Sequence, residues 1–294
     1  MATYTSYDVV GAKESVADII TDISPTDTPA FTLFKTEKIS ARIHSWLEDD
    51  LASAGVNAAV EGANFSAGSL NQATTRTNNT QILTKTFAVT ATQDTVATYG
   101  RAKETAYQLG KALKEIKRDL ELAIVGVDQA AVTGSASAAR KFASMSQQIS
   151  TSVDAGGNST DPLTEAKILT LGQTLYTAGS EPSVLMIKPA DSTIVAGFAA
   201  SSNRQRDLAE ATTLVNVIDV LVTPFGQYRT VLNRHQLSTH AFLIDPAMFK
   251  TLVLRPFFRV KNATVGDAET HSVVGEYSLK HMNFADSGMI TGLS

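Results

Sequence analysis

Ala102-Lys103-Glu104-Thr105-Ala106-Tyr107-Gln108-Leu109-Gly110-Lys111-Ala112-Leu113-Lys114-Glu115-Ile116-Lys117-Arg118-Asp119-Leu120-Glu121-Leu122-Ala123-Ile124-Val125-Gly126-Val127 is the most periodic stretch of the chain. Ala102, Ala106, Leu109, Leu113, Ile116, Leu120, Ile124 and Val127 recur at spacings of three and four. Arg101, Lys103, Lys111, Lys114, Arg118 and Glu121 fill the other positions. The pattern predicts one amphipathic helix over residues 101–127, about 40 Å long at a rise of about 1.5 Å per residue. Gly110 and Gly126 each cost it about 1 kcal/mol relative to Ala, so packing must hold it together.

Upstream, Leu83-Thr84-Lys85-Thr86-Phe87-Ala88-Val89-Thr90 alternates as a half-buried strand does. Before it lies a long segment, residues 43–81. It opens on strand-like Ile43-His44-Ser45-Trp46-Leu47 and the acidic Glu48-Asp49-Asp50. Its apolar residues, Val56, Val60, Phe65 and Leu70, follow neither period. Loops of that length inside a domain are uncommon and usually functional or disordered. Earlier still, Val9, Val10, Val16, Ile19, Ile20 and Ile23 suggest a short amphipathic helix closed by Ser24-Pro25. Thr26-Asp27-Thr28-Pro29 then favours extended backbone, and the whole reads as an arm laid over something else.

Downstream, residues 134–160 are rich in Ser, Ala and Gly, softest at Gly156-Gly157-Asn158, and a second lobe follows. Thr164 can cap a helix over residues 165–177 that Gly179 ends, with Leu163 and Ile168 as a hydrophobic staple. Residues 183–187, 214–222, 228–232, 241–244 and 273–280 read as strands, residues 190–200 as a helix, and Pro224-Phe225-Gly226-Gln227 as a turn. Helices and antiparallel strands in separate runs make an α+β arrangement.

The 294 residues are 43% hydrophobic and 18% charged, with a net charge of −4. That is ample for a core, but below the roughly 25% charge of ordinary domains, a shortfall common where surface is buried against other subunits. No stretch concentrates Lys and Arg as a nucleic-acid footprint requires. Cysteine is absent, which excludes disulfides and thiolate metal sites. No apolar run approaches the ~20 residues of a membrane span, and Met1-Ala2-Thr3-Tyr4-Thr5-Ser6-Tyr7 lacks signal-peptide regions, so the expected compartment is the cytoplasm of the producing cell.

Catalytic motifs are missing: no phosphate-cradling loop, zinc-protease helix or nucleophile elbow occurs. His235 and His240 are expected on opposite faces at the edges of a strand, where one metal does not reach both. Glu48-Asp49-Asp50 reads as a solvated turn and not a calcium loop. Asp245 and Asp267 read as turn caps, and Trp46 as a packing anchor. No catalytic, cofactor-binding or metal-binding residue is assigned.

Taken in order, several pieces resemble the Hong Kong 97 fold of tailed-bacteriophage major capsid proteins. They are Ser24-Pro25-Thr26-Asp27-Thr28-Pro29, His44-Ser45-Trp46, Asn57-Ala58-Ala59-Val60-Glu61-Gly62, Ala106-Tyr107-Gln108-Leu109-Gly110-Lys111-Ala112 with Lys117-Arg118-Asp119, Arg255-Pro256-Phe257, Gly266-Asp267-Ala268 and Glu276-Tyr277-Ser278-Leu279. The resemblance runs nearly end to end. It implies an N-terminal arm over residues 1–42 and an extended loop (E-loop) over 43–84. A peripheral domain would span 85–160 and 245–294, carrying the spine helix at about 101–127, and an axial domain 161–244.

The same resemblance implies a shell subunit without enzymatic activity or cofactor. It would assemble into the hexamers and pentamers of an icosahedral virion around double-stranded DNA, bound without sequence specificity. Implied partners are a separate scaffolding protein, since only about forty residues precede Trp46, a portal, and a decoration protein, with assembly in the host cytoplasm and no membrane. Trp46, Glu61, Arg76, Lys111, Lys114, Glu115 and Arg118 are the expected intersubunit contacts, loop against neighbouring spine helix. Some relatives crosslink through a loop Lys; residues 39–84 contain none. The alternative is an encapsulin-like nanocompartment shell of the same fold. A two-lobed enzyme lacks convergent polar groups, and a fibrous or tail-tube protein does not account for the long helix.

Overall fold

The computed structural model describes residues 27–62, 64, 70–96, 103–156, 161–201, 220–264 and 266–294, with backbone alone at 199–201. The expected helix near Val9–Ile23 and the strand residues 214–219 lie outside them.

Two mixed sheets and a ribbon carry the fold. Strands β1 (Lys35–Lys38), β10 (Phe249–Lys261), β11 (Ala268–His281) and β4 (Gln81–Thr90) form a four-stranded sheet in the order β1-β10-β11-β4. Strands β5 (Thr151–Asp154), β12 (Gly288–Thr291), β9 (Ala241–Ile244), β6 (Val184–Ile187), β8 (Gly226–Leu232) and β7 (Val220–Thr223) form a six-stranded sheet in that order. Strands β2 (Ile43–Glu48) and β3 (Thr74–Asn79) pair antiparallel as a separate ribbon. The α+β expectation holds, but not every strand is antiparallel: β1/β10, β5/β12 and β6/β8 are parallel.

Helix α1 (Pro29–Leu33) is the first described helix, α2 (Ala91–Thr95) follows β4, and α3 (Glu104–Glu121) is the long helix. After α4 (Met145–Gln148) come α5 (Glu165–Ala178) and α6 (Pro189–Ser201). The long helix is shorter in its α-form than periodicity suggests. Lys103 is its N-cap, and after Glu121 the chain continues as a π-helical turn, Leu122–Gly126. Close approach accounts for Gly126: an added Cβ would lie 2.3 Å from the His235 carbonyl oxygen and 2.4 Å from Leu122 Cδ1. Wider i→i+5 turns occur where a helix must re-aim its side chains.

Alternation within the six-stranded sheet divides the core. Val184, Met186, Phe242 and Ile244 enter one apolar cluster with Ile116, Leu120 and Ile124 of the long helical segment and Phe249, Val273 and Leu279 of the four-stranded sheet. Leu185, Ile187, Ala241 and Leu243 point the other way, onto Ile168, Leu171 and Leu175 of α5 and Val195 of α6. Strands β6 and β9 are therefore buried on both faces and read as unbroken apolar runs. The cap on α5 is as expected: Thr164 accepts from the Lys167 N–H, and Gly179 ends the helix at φ 90°.

Several elements have weak sequence signals. Strand β10 contains Pro256, which belongs at edges and bulges. Register shifts flank Arg255, and β1 covers only Lys250–Val253, leaving Pro256 without a ladder donor to supply. Within the Ser/Ala/Gly-rich stretch, Phe142, Met145 and Ile149 are core residues. His235 and His240 do not flank a strand; both sit in the turn joining β8 to β9.

Candidate functional site: the extended loop and its root

Residues 49–60 and 70–73 carry no regular structure, and the β2–β3 ribbon projects them from the fold. Leu51, Val56, Val60 and Leu70 are exposed by 98, 101, 81 and 92%, so the subunit gives them no apolar cover. Glu61 is exposed in the turn beyond Val60. Residues 49–73 include Asp49, Asp50 and Glu61 but no Lys or Arg.

By contrast the ribbon's root is tightly bound. Glu48, expected in a solvated turn, is buried because Arg76 crosses the ribbon to it at 2.5 Å and the Phe284 N–H donates to it at 3.2 Å. The Arg76 guanidinium also lies 4.5 Å from the Phe284 ring centre. Trp46 is buried in its own subunit, near Phe284 with Lys280 Nζ over its ring. Asn78 accepts from the Ala143 N–H at 2.8 Å and donates to the Leu279 carbonyl at 2.6 Å. Thr80 donates at 2.7 Å to Glu276, which also pairs with Arg140, and with Arg255 at 3.0 Å. Burial opposes the Glu276 charge, but the Thr80 hydroxyl and the two guanidinium groups outweigh it and hold its pKa below the ordinary value.

The arm is held by an acid that periodicity assigns to the solvent face of the long helix. Glu121 is fully buried and accepts from the N–H groups of Ala30 and Phe31, each at 2.8 Å, and from Asn233 Nδ2 at 2.6 Å. It caps α1, whose own N-cap, Thr28, makes no side-chain cap bond. Burial pushes the Glu121 carboxyl above its ordinary pKa despite these donors. Of the other expected contact residues, Lys111 and Lys114 are exposed on α3, while Glu115 and Arg118 are half-buried. The structure thus gives Trp46 and Arg76 partners inside their own chain and leaves Glu61, Lys111 and Lys114 open. No His/Asp/Glu group suited to a metal occurs among the described residues.

The described chain thus carries an exposed loop on a braced root, beside a long helix packed on a sheet. A family model described as SU10 major capsid protein matches residues 2–294. The chain belongs to that family. The major capsid protein of Escherichia phage Phieco32 is 32% identical over 338 aligned residues, covering 98% of this chain and 96% of that relative. Among solved structures, the chain resembles the cyanophage A-1(L) capsid asymmetric unit, with TM-score 0.71 and 10% identity over 98% of both chains. It also resembles the capsid of a native GTA particle, with TM-score 0.68 and 9% identity over 98% of both. These likenesses give the fold, the Hong Kong 97 type. The SU10-family chain is a phage major capsid protein, a structural component of the virion shell, and the nanocompartment reading is not favoured.

Proposed function

We propose that the subunit assembles into hexamers and pentamers that close an icosahedral shell around double-stranded DNA, each subunit laying its extended loop on a neighbour. The observation that carries this is the uncovered apolar series Leu51, Val56, Val60 and Leu70. Burying each against a second subunit would contribute about 1.5–3 kcal/mol, and symmetry repeats the contact around every capsomer. On this reading the arm, the β2–β3 loop, a peripheral domain on the four-stranded sheet and an axial domain on the six-stranded sheet are the working parts. Because β5 and β12 belong to the six-stranded sheet, the axial domain would extend beyond residues 161–244.

Within that contact, Glu61 is the loop's charged probe, and Lys111 and Lys114 of a neighbouring α3 are its receptors. Arg76 and Trp46 act indirectly, by fixing the root. A separate scaffolding protein, a portal, a decoration protein and assembly in the host cytoplasm complete the proposal. The test is sedimentation and electron microscopy of the purified protein, with and without scaffold. Capsomers or shells are expected, and a stable monomer under every condition would overturn the reading. Glu61→Lys should lower the yield of shells; wild-type yield and thermal stability would remove Glu61 from the contact.

A further inference from the structure

Six rings form a continuous row through the subunit. His44 and Trp46 on the ribbon lie 6.0 Å apart, and Trp46 lies 6.3 Å from Phe284. Phe284 is 5.8 Å from His281, which stacks on Phe249 at 4.0 Å with planes 4° apart. Phe249 stacks in turn on Phe34, the C-cap of α1, at 4.9 Å. The row therefore runs from the root of the extended loop to the end of the arm helix. At its centre His281 is fully buried. Its Nδ1 lies 3.0 Å from the Gln148 carbonyl, which can only accept, so Nδ1 carries the proton. Its Nε2 is buried without a hydrogen-bond partner.

We infer that this row is a proton-sensitive coupling between the loop root and the arm helix, locked while His281 is neutral and loosened when Nε2 takes up a proton. A second N–H would have no acceptor, and a buried cation would lose its hydration, which the faces of Phe249 and Phe284 offset only in part. The charged groups nearest the ring do little to offset this. Asp245, before β10, favours the charged ring but does not outweigh burial. Glu48 and Arg76 neutralise each other across Phe284, and Lys280 is turned toward Trp46 and Glu37. Burial accordingly holds the His281 pKa down at about 4, below its ordinary 6.5. The sign follows: an opening that frees the ring is penalised at neutral pH and becomes easier as pH falls from about 6.5 to about 4. Both ends of the row belong to segments that the proposed assembly sends to neighbouring subunits, and the coupling itself is a property of the single chain.

Hydrogen exchange on the full-length protein tests this, with protection followed against pH in Pro29–Leu33 and in Ile43–Glu48. In a His44→Gln, Glu121→Gln background, which removes the titrations at the two ends of the row, protection in both segments should fall together, by about tenfold per pH unit between about 6.5 and about 4, and level off below. Added to that background, His281→Phe keeps the stack and removes the central proton site, so both slopes should vanish. Slopes that survive in His281→Phe, or a response at one end only, would overturn the inference. So would ends as protected as β6 and β9, because they would then open only with the whole fold. Should His281→Phe not fold, Phe284→Leu breaks the row on the ribbon side. Expected there is a slope kept in Pro29–Leu33 and lost in Ile43–Glu48, and a slope kept in both would overturn the coupling.

Discussion

Three donors converge on the Glu121 carboxylate: two backbone N–H groups at the start of α1 and the Asn233 amide. Removing the acceptor strands the two backbone donors in a dry site and leaves Asn233 only the weak Met186 sulfur at 3.6 Å, and each buried unsatisfied polar group costs about 1–3 kcal/mol. Glu121→Ala should therefore lose about 3 kcal/mol or more in chemical denaturation at neutral pH. Exchange in Pro29–Leu33 should rise more than in the central strands, and uniform loss across the fold would show that Glu121 does not act through the arm. The pH dependence has a definite sign. Because the folded pKa stands above the ordinary 4.5, the folded chain binds this proton more tightly than the unfolded chain does. The gap between wild type and Glu121→Ala should widen as pH falls from neutral toward about 4.5. His281, depressed to about 4, has the opposite sign. Apolar spacing places Glu121 on α3 but gives no hint of its burial, since its partners are 90, 91 and 112 residues away.

At the scale of elements, the two glycines of the long helical segment make opposite demands. Gly110 is exposed inside α3, and an added Cβ would meet nothing within 4 Å. Gly110→Ala should stabilise the protein by up to about 1 kcal/mol through helix propensity and a stiffer unfolded chain. Gly126 closes the π-turn against the His235 carbonyl, and Gly126→Ala should destabilise by about 1–3 kcal/mol through overpacking. Thermal unfolding of the pair decides it, and equal shifts would mean that the π-turn is not tightly packed. Periodicity locates both residues but treats them alike, because it holds no record of a carbonyl 109 positions downstream. The ribbon shows the same limit. Ile43-His44-Ser45-Trp46-Leu47 is recognisable as a strand, whereas its partner β3, Thr74-Thr75-Arg76-Thr77-Asn78-Asn79, has no apolar alternation to betray it. That strand exists because Asn78 satisfies the Ala143 N–H and the Leu279 carbonyl, and Arg76 satisfies Glu48.

For the whole molecule, folding and assembly use different parts of the chain. Replacing residues 53–71 with a short Gly/Ser turn spares β2, β3 and the Arg76–Glu48 pair. Loop closure entropy changes by only about 0.6 kcal/mol per doubling of length. Cooperative unfolding and helix content by circular dichroism should be retained while electron microscopy shows no shells. Loss of the fold would place the segment in the core, and normal shells would show that it is not the loop reaching the neighbour. Since residues 39–84 contain no Lys, boiled particles should run on a denaturing gel as one band near 31.3 kDa. A ladder surviving boiling would reveal a covalent link made elsewhere.

By itself the sequence determined the local pieces: the amphipathic α3, alternating β4, the Thr164-to-Gly179 boundaries of α5, apolar β6 and β9, and a long loop without a period of its own. These are legible because helix and strand periods, caps and missing apolar residues act over a few positions. Their ordered resemblance to a capsid family supplied the role. Only the tertiary structure decided that β1/β10, β5/β12 and β6/β8 pair in parallel, that Glu121 is a buried cap, and that Glu48 and Arg76 neutralise each other. It alone set His281 in a row of rings from the loop root to the arm. Each of these depends on groups distant in sequence meeting in a site without water, where burial, unpaired donors and ring contacts decide the energy and no local pattern records them.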